Sequence, residues 1–183
     1  EAYYWIYSEY LNFGYFDHPP MVGLVIKMGT SIFGQTEMGV RFFFNVLMCS
    51  SFYLIWLMLD KKHTRTMILM MLSMPLLYFS GNFALPDTPL LFFGCLFFYR
   101  LKKYIELDTY SNAIYLAIAI AGMFYSKYHG LLIILLTVLG NLKFLKRKSF
   151  YSVAILVIIF FAPHMYWQYY HDFVSFKFHL TGR

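Results

Sequence analysis

Long apolar runs separated by short polar segments dominate the 183-residue chain. A membrane-spanning helix needs about 20 mostly apolar residues, and six segments approach that length: 38–59, 66–85, 88–104, 112–126, 130–145 and 150–167. A further apolar stretch, residues 21–33, is short and contains Lys27. We therefore predict that it lies as a helix in the membrane interface. The pattern as a whole predicts an all-α, multi-pass transmembrane bundle of about six spans.

Composition supports the same class of protein. Hydrophobic residues make up 60% of the chain and charged residues only 13%, whereas soluble globular domains carry about 25% charged residues. This balance argues against a soluble domain and excludes a disordered chain. The net charge of +6 would suggest a nucleic-acid partner in a soluble protein. Here the basic residues cluster between apolar segments, so membrane orientation explains them better and no nucleic-acid partner is expected.

The distribution of charge predicts the topology. Loops 60–65, 100–111 and 143–149 hold ten of the 15 basic residues and three of the nine acids, a net charge of +7 against −1 for the rest. Basic loops face the cytoplasm, which places residues 1–37, 86–87, 127–129 and 168–183 on the outer face of a plasma membrane, the inner membrane in bacteria. We expect one membrane domain, 1–183, with an outer region 1–37, a bundle 38–167 and an outer segment 168–183.

Prolines and ionisable residues gather at the predicted outer ends of the spans. Asp87 lies in ALPDTPLLFF between two apolar runs, where an acid is functional or caps the helix that follows, and the two roles can coexist. Lys127, in MFYSKYHGLLIILL, either binds an anion such as phosphate or extends from a short turn to the headgroup layer.

Two further segments carry candidate ligands. In GYFDHPPMVG the two prolines would restrict the backbone at Asp17 and His18, for a functional purpose or simply to form a turn. The tail HLTGR spaces His179 and Arg183 four residues apart, on one face of a helix. Carboxylate and imidazole are ordinary zinc ligands, so Asp17 and His179 could hold a divalent metal, although a lone histidine is more often structural. The many tyrosines at both ends are typical of an aromatic membrane belt.

Taken in order, these motifs resemble one enzyme superfamily. The segments that carry the resemblance are EAYYWIYSEYL, GYFDHPPMV, the Glu37/Arg41 pair, ALPDTPLLFF, FYSKYHGLL and PHMYWQYYHDFVSFKFHLTGR. They are similar to polyprenyl-phosphate-sugar-dependent glycosyltransferases of the GT-C superfamily. The branch in question includes bacterial dolichyl-phosphate-mannose–protein mannosyltransferase-like enzymes and the aminoarabinose transferase that modifies lipid A.

The resemblance implies roles for particular residues. The family's first outer loop begins Asp-Glu with the aspartate as catalytic base, and Glu1 matches the glutamate. The base and a first spanning helix would then precede Glu1, so that we expect a piece of a longer protein, inactive by itself. Asp87 matches the family's second-loop acid. The same comparison implies donor-phosphate cations at Lys127, His18 and Arg183, and a metal at Asp17 and His179, with Asp17 standing where the family has a glutamate.

The implied reaction is the inverting transfer of a sugar from a polyprenyl-phosphate donor to a lipid, glycan or protein acceptor on the outer face. The alternative from another class is a transporter or flippase of lipid-linked or anionic substrates, since broken helices with charges at membrane depth also line substrate pathways. A non-catalytic scaffold would explain the spans but not the proline-flanked acids. The concentration of ionisable groups at one face favours the enzyme. It predicts that Asp17, Asp87, Lys127 and His179 share one outer cavity.

Overall fold

Helices joined by short turns make up the described part of the chain, residues 1–59, 61–75 and 81–181 of the computed structural model. The helices are α1 (Ala2–Glu9), α2 (Met21–Phe33), α3 (Glu37–Met58), α4 (Thr64–Ser73), α5 (Asp87–Glu106), α6 (Tyr110–Ser126), α7 (Gly130–Gly140), α8 (Lys148–Tyr170) and α9 (Val174–Thr181), with a 3₁₀ helix at Leu142–Lys146. These residues contain no strand. The predicted all-α class is confirmed.

Two helices, α3 and α8, are long and apolar enough to cross a membrane. Only 22% and 11% of their most apolar stretches are buried in the protein, so their apolar side chains face outward, as lipid contact requires. Predicted spans 88–104 and 112–126 lie within α5 and α6, while 130–145 divides into α7 and the 3₁₀ helix. Span 66–85 overlaps α4, which ends at Ser73. Residues 76–80 of this span lie outside the described residues. Six crossings therefore stay a prediction.

The bundle is built by successive packing, α1 on α2, α2 on α3, α3 on α5, α5 on α6 and α6 on α8. Helix α6 lies at the centre, and its buried alanines and Gly122 let α5 approach closely. A Cβ atom on Gly122 would overlap the ring of Phe93. At the crossing of α2 and α3, a Cβ on Gly29 would overlap the carbonyl oxygen of Gly39. Small residues thus set the spacing of the helices that carry the candidate site.

Contacts at the helix ends show which connecting segments lie at the same end of the bundle. Arg147, before α8, donates from Nη1 to the carbonyl of Tyr104 near the end of α5, at 2.9 Å, which joins loops 100–111 and 143–149. The opposite end, called here the polar end, comprises α1, residues 10–20, the starts of α3 and α5, residues 127–129 and α9. Two of the three basic loops therefore meet at the end of the bundle opposite the polar end. Which end faces the cytoplasm stays a prediction.

Candidate functional site

A tight turn places Asp17 and His18 against α1. The Tyr15 amide donates to the carbonyl of His18 at 3.1 Å, and Pro19 behind it is buried. The Tyr15 hydroxyl donates to the Tyr7 carbonyl at 2.7 Å, and the two rings stack with centroids 3.8 Å apart. Pro20 then stands at the N-cap position of α2. The diproline segment is therefore a fixed turn that presents its acid to one face of α1.

The Asp17 carboxylate is held by the tyrosines of that face. Oδ1 accepts hydrogen bonds from the hydroxyls of Tyr7 at 2.7 Å and Tyr3 at 3.0 Å, and Nδ1 of His18 lies 2.9 Å from Oδ2. Burial by itself would raise the pKa of Asp17, but His18 and the two hydroxyls outweigh it and lower that pKa to about 2. Burial, followed by the contact with Asp17, raises the pKa of Tyr7. Asp17 is therefore a charged acceptor between neutral hydroxyl donors.

The lowered pKa of Asp17 predicts a stability change in acid. A carboxyl whose pKa falls from 3.8 to about 2 on folding stabilises the folded state above a pH of about 4, and this is lost as pH falls through about 2. The expected contribution is about 2 kcal/mol. Measured between these pH values, the free energy of unfolding of the full-length protein should fall less steeply in Asp17→Asn than in the wild type. Asp108→Asn, at an exposed loop, should keep the wild-type slope; equal slopes in all three proteins would contradict the assignment.

His179 of α9 contacts the same turn. It meets the backbone of Asp17, whereas the predicted metal site requires the Asp17 carboxylate. Its Nε2 lies 2.8 Å from the backbone oxygen of Asp17 rather than from the carboxylate. Its ring packs against Tyr128 at 5.4 Å and His18 at 6.4 Å. Among the described residues, no group of three or more His, Cys, Asp or Glu side chains is arranged to hold a metal. In this arrangement the pair does not fit a metal ion, and a metal at Asp17 and His179 stays a prediction.

Asp87 and Lys127 form the second half of the site. Helix α5 begins at Asp87, directly after Pro86 at the N-cap position. The Asp87 Oδ1 lies 2.8 Å from Nζ of Lys127, where α6 has ended and the backbone is extended. The Asp87 side chain is 57% exposed and that of Lys127 is 24% exposed. The structure thus pairs Asp87 with Lys127, at the start of a helix where an acid is also favourable.

Tyr4 connects the two halves. Its ring packs edge-on against His18, with centroids 5.6 Å apart. Burial raises the pKa of Tyr4, and the charges of Asp17 and Asp87 raise it further. Tyr128, next to Lys127 in the chain, packs its ring against that of His179 with centroids 5.4 Å apart. These contacts bring Asp17, His18 and His179 together beside the Asp87/Lys127 pair. Arg183 lies outside the described residues.

Glu1 joins three segments at the edge of this site. Arg41 of α3 donates from Nε and Nη2 to its two carboxylate oxygens, at 2.9 and 2.6 Å, and the Ala84 amide donates to Oε1 at 3.0 Å. The Arg41 hydrogen bonds are the largest cause of the lowered pKa of Glu1. Ala84 stands three residues before Asp87. Glu1 therefore fixes the approach to α5 rather than facing the Asp17 turn.

Sequence reasoning missed the tyrosines and the main partner of Arg41. Tyr3 and Tyr7 are one helical turn apart, the spacing at which side chains share a face, but in the sequence they were indistinguishable from membrane-belt aromatics. Arg41 was matched only with Glu37, four residues away. That contact exists, at 3.1 Å, yet the closer bidentate partner is Glu1.

Comparison with known proteins gives one family and one relative. Residues 17–167 match the family described as dolichyl-phosphate-mannose-protein mannosyltransferase. A stretch of 91 residues, 47% of the chain, is 30% identical to an uncharacterized protein of Aquifex aeolicus (strain VF5), of which it covers 18%. No solved structure matches the chain.

Proposed function

The chain belongs to the dolichyl-phosphate-mannose-protein mannosyltransferase family, and from that membership we propose that its full-length protein transfers a sugar from polyprenyl phosphate to an acceptor hydroxyl. Membership makes it a membrane glycosyltransferase of the GT-C type. The acceptor would be a lipid, a glycan or a protein. The proposed location of the site is the outer face of the plasma membrane, which follows from the basic loops at the other end of the bundle.

The observation that carries the proposal is the Asp87/Lys127 pair beside the Asp17/His18 turn. A sugar on a lipid phosphate is already activated, so the enzyme needs a base for the acceptor hydroxyl and cations for the departing phosphate. Lys127 would supply the principal cation, since its ammonium group is partly buried and next to an acid that a phosphate can replace as partner. His18, and Arg183 beyond the described residues, would assist it.

The remaining roles follow from the arrangement of the acids. Asp87 is exposed and pairs with Lys127 through Oδ1, and we assign its carboxylate to orienting the incoming hydroxyl. Asp17 accepts hydrogen bonds from Tyr3 and Tyr7 and lies 2.9 Å from Nδ1 of His18, which suits it to orienting His18 rather than to accepting a proton. The base itself would stand before Glu1, as the family resemblance implies. Direct displacement by the hydroxyl would invert the anomeric centre.

Reconstitution of the full-length protein in liposomes tests the proposal. A labelled sugar should pass to an acceptor when it is offered on polyprenyl phosphate, and not when the same sugar is offered on a nucleotide diphosphate. The lipid-linked donor should also be consumed at the membrane face opposite the basic loops. Equal use of both donors would overturn the proposal. Movement of the lipid-linked sugar between leaflets without transfer would instead support the transporter alternative.

A further inference from the structure

A buried polar network lies beneath the site, inside the end of α8. It contains His164 and Gln168 of that helix with Ser175 of α9, all three inaccessible to solvent. Tyr128, from the break between α6 and α7, reaches in to join them. The spacing of four residues puts His164 and Gln168 on one face of an otherwise apolar helix. Polar groups at such a depth are costly unless they are hydrogen-bonded.

The contacts in this network agree with one direction of hydrogen-bond donation. Gln168 Nε2 donates to the Tyr128 hydroxyl at 2.9 Å and to the Ser175 hydroxyl at 2.6 Å. The Tyr128 hydroxyl lies 3.0 Å from Nε2 of His164, to which it can donate. The other ring nitrogen of His164, Nδ1, lies 2.6 Å from the carbonyl of Phe13 and can donate there. A neutral imidazole protonated at Nδ1 satisfies both contacts.

The branches of the network end on the segments that carry the candidate site residues. Tyr128 follows Lys127 directly in the chain. Ser175 donates to the carbonyl of Tyr15 at 2.5 Å, two residues before Asp17. Ser175 also stands four residues before His179 on α9, which places them on the same helix face. One side chain, Gln168, thus links the two turns and the helix around the site.

We propose that His164 and Gln168, acting through Tyr128 and Ser175, are positioning residues that set Lys127, the Asp17 turn and α9 in register for binding the donor phosphate. This inference rests on the proposed function, since it assumes that Lys127 contacts the phosphate. Groups that stabilise charge must be held close to their productive position, and side chains with hydrogen-bonded support keep that position better than surface loops do. The network provides such support because His164, Gln168 and Ser175 are themselves buried.

A double-mutant cycle in the full-length protein tests the proposal. Tyr128→Phe keeps the ring and removes both hydrogen bonds of the hydroxyl. It should lower kcat/KM for a polyprenyl-phosphate sugar about 2- to 12-fold for each of the two neutral hydrogen bonds lost. In a Lys127→Ala background the same change should have almost no effect, because there is no ammonium group left to position. A loss of packing alone would lower activity by the same factor in both backgrounds.

Tyr125→Phe is the matched control. Tyr125 is three residues before Tyr128 and also donates to α8, to the carbonyl of Phe160 at 2.9 Å. Its ring lies edge-on to that of His164, but its hydroxyl bonds to the backbone of α8 and not to the side chains of the network. Its loss should be independent of Lys127. A second cycle, Ser175→Ala with His179→Ala, removes the other branch and should also be non-additive. It tests the proposal even if the Tyr128→Phe variant does not fold. Additive cycles overturn the positioning role, whereas full activity of Lys127→Ala alone overturns the proposed phosphate site.

Discussion

Replacing Lys127 with alanine in the full-length protein is expected to lower kcat/KM for a polyprenyl-phosphate sugar about 10- to 150-fold. The range corresponds to one charge-assisted hydrogen bond. The effect should be large because the ammonium group is partly buried and would meet a charge that grows on the leaving phosphate. The measurement is the initial rate of sugar transfer at several donor concentrations in liposomes.

The chain contains a matched control for this change. Lys27 of α2 also pairs with an acid, Glu9, with Nζ and Oε1 3.3 Å apart. Lys27→Ala removes the same charge from an acid–lysine pair outside the candidate site and should leave transfer within about twofold of the wild type. Equal losses in the two variants would mean that Lys127 acts through overall charge or stability. Wild-type rates in Lys127→Ala would remove it from the site.

Asp87→Asn in the same assay distinguishes the role of Asp87 from that of Lys127. The change keeps the shape of the side chain and removes its charge. If Asp87 assists the acceptor, kcat should fall while KM for the donor stays the same or decreases, since Lys127 loses a competing partner. If Asp87 only neutralises Lys127 in the empty site, KM should fall with kcat unchanged. The first result is the one that the proposed mechanism requires.

Replacing Arg41 with alanine is expected to destabilise the protein by about 3 kcal/mol, through the two charge-assisted hydrogen bonds to Glu1. Each such bond can contribute more when fully buried, and partial exposure of both side chains limits the sum. The loss should appear as a lower free energy of unfolding of the full-length protein in mixed micelles. Transfer should fall too, because Glu1 also holds the Ala84 amide, close to Asp87.

Glu37→Gln is the control for the arginine. Glu37 contacts the same guanidinium, with Nη1 and Oε2 3.1 Å apart, but its side chain is 86% exposed. Surface pairs of this kind contribute about 0–1 kcal/mol, so Glu37→Gln should stay close to the wild type. A similar loss of stability in both variants would show that the two Arg41–Glu1 hydrogen bonds stabilise the fold no more than an ordinary surface pair does.

Much of the helical structure could be predicted from the sequence, because hydropathy and turn residues act over short distances. The apolar stretch 21–33, bounded by the diproline and Gly34, is α2 with the same limits. Predicted spans 38–59 and 150–167 agree closely with α3 and α8. Span 130–145 is shorter than predicted. Helix α7 ends at Gly140, and Asn141 accepts from the Lys143 amide through its side chain, a local bond that competes with the helix.

The sequence by itself determined which chemical groups the polar end carries, since the acids, histidines and Lys127 stand at breaks between apolar runs. Only the tertiary structure decided their partners. Lys127 contacts Asp87, and Arg41 contacts Glu1; each pair is 40 residues apart in the sequence. His179 contacts the backbone of Asp17, not its carboxylate, at a sequence separation of 162 residues. Such partners depend on which helices pack together and how closely glycines let them approach. Hydropathy specifies that a face is buried but does not specify which other face covers it.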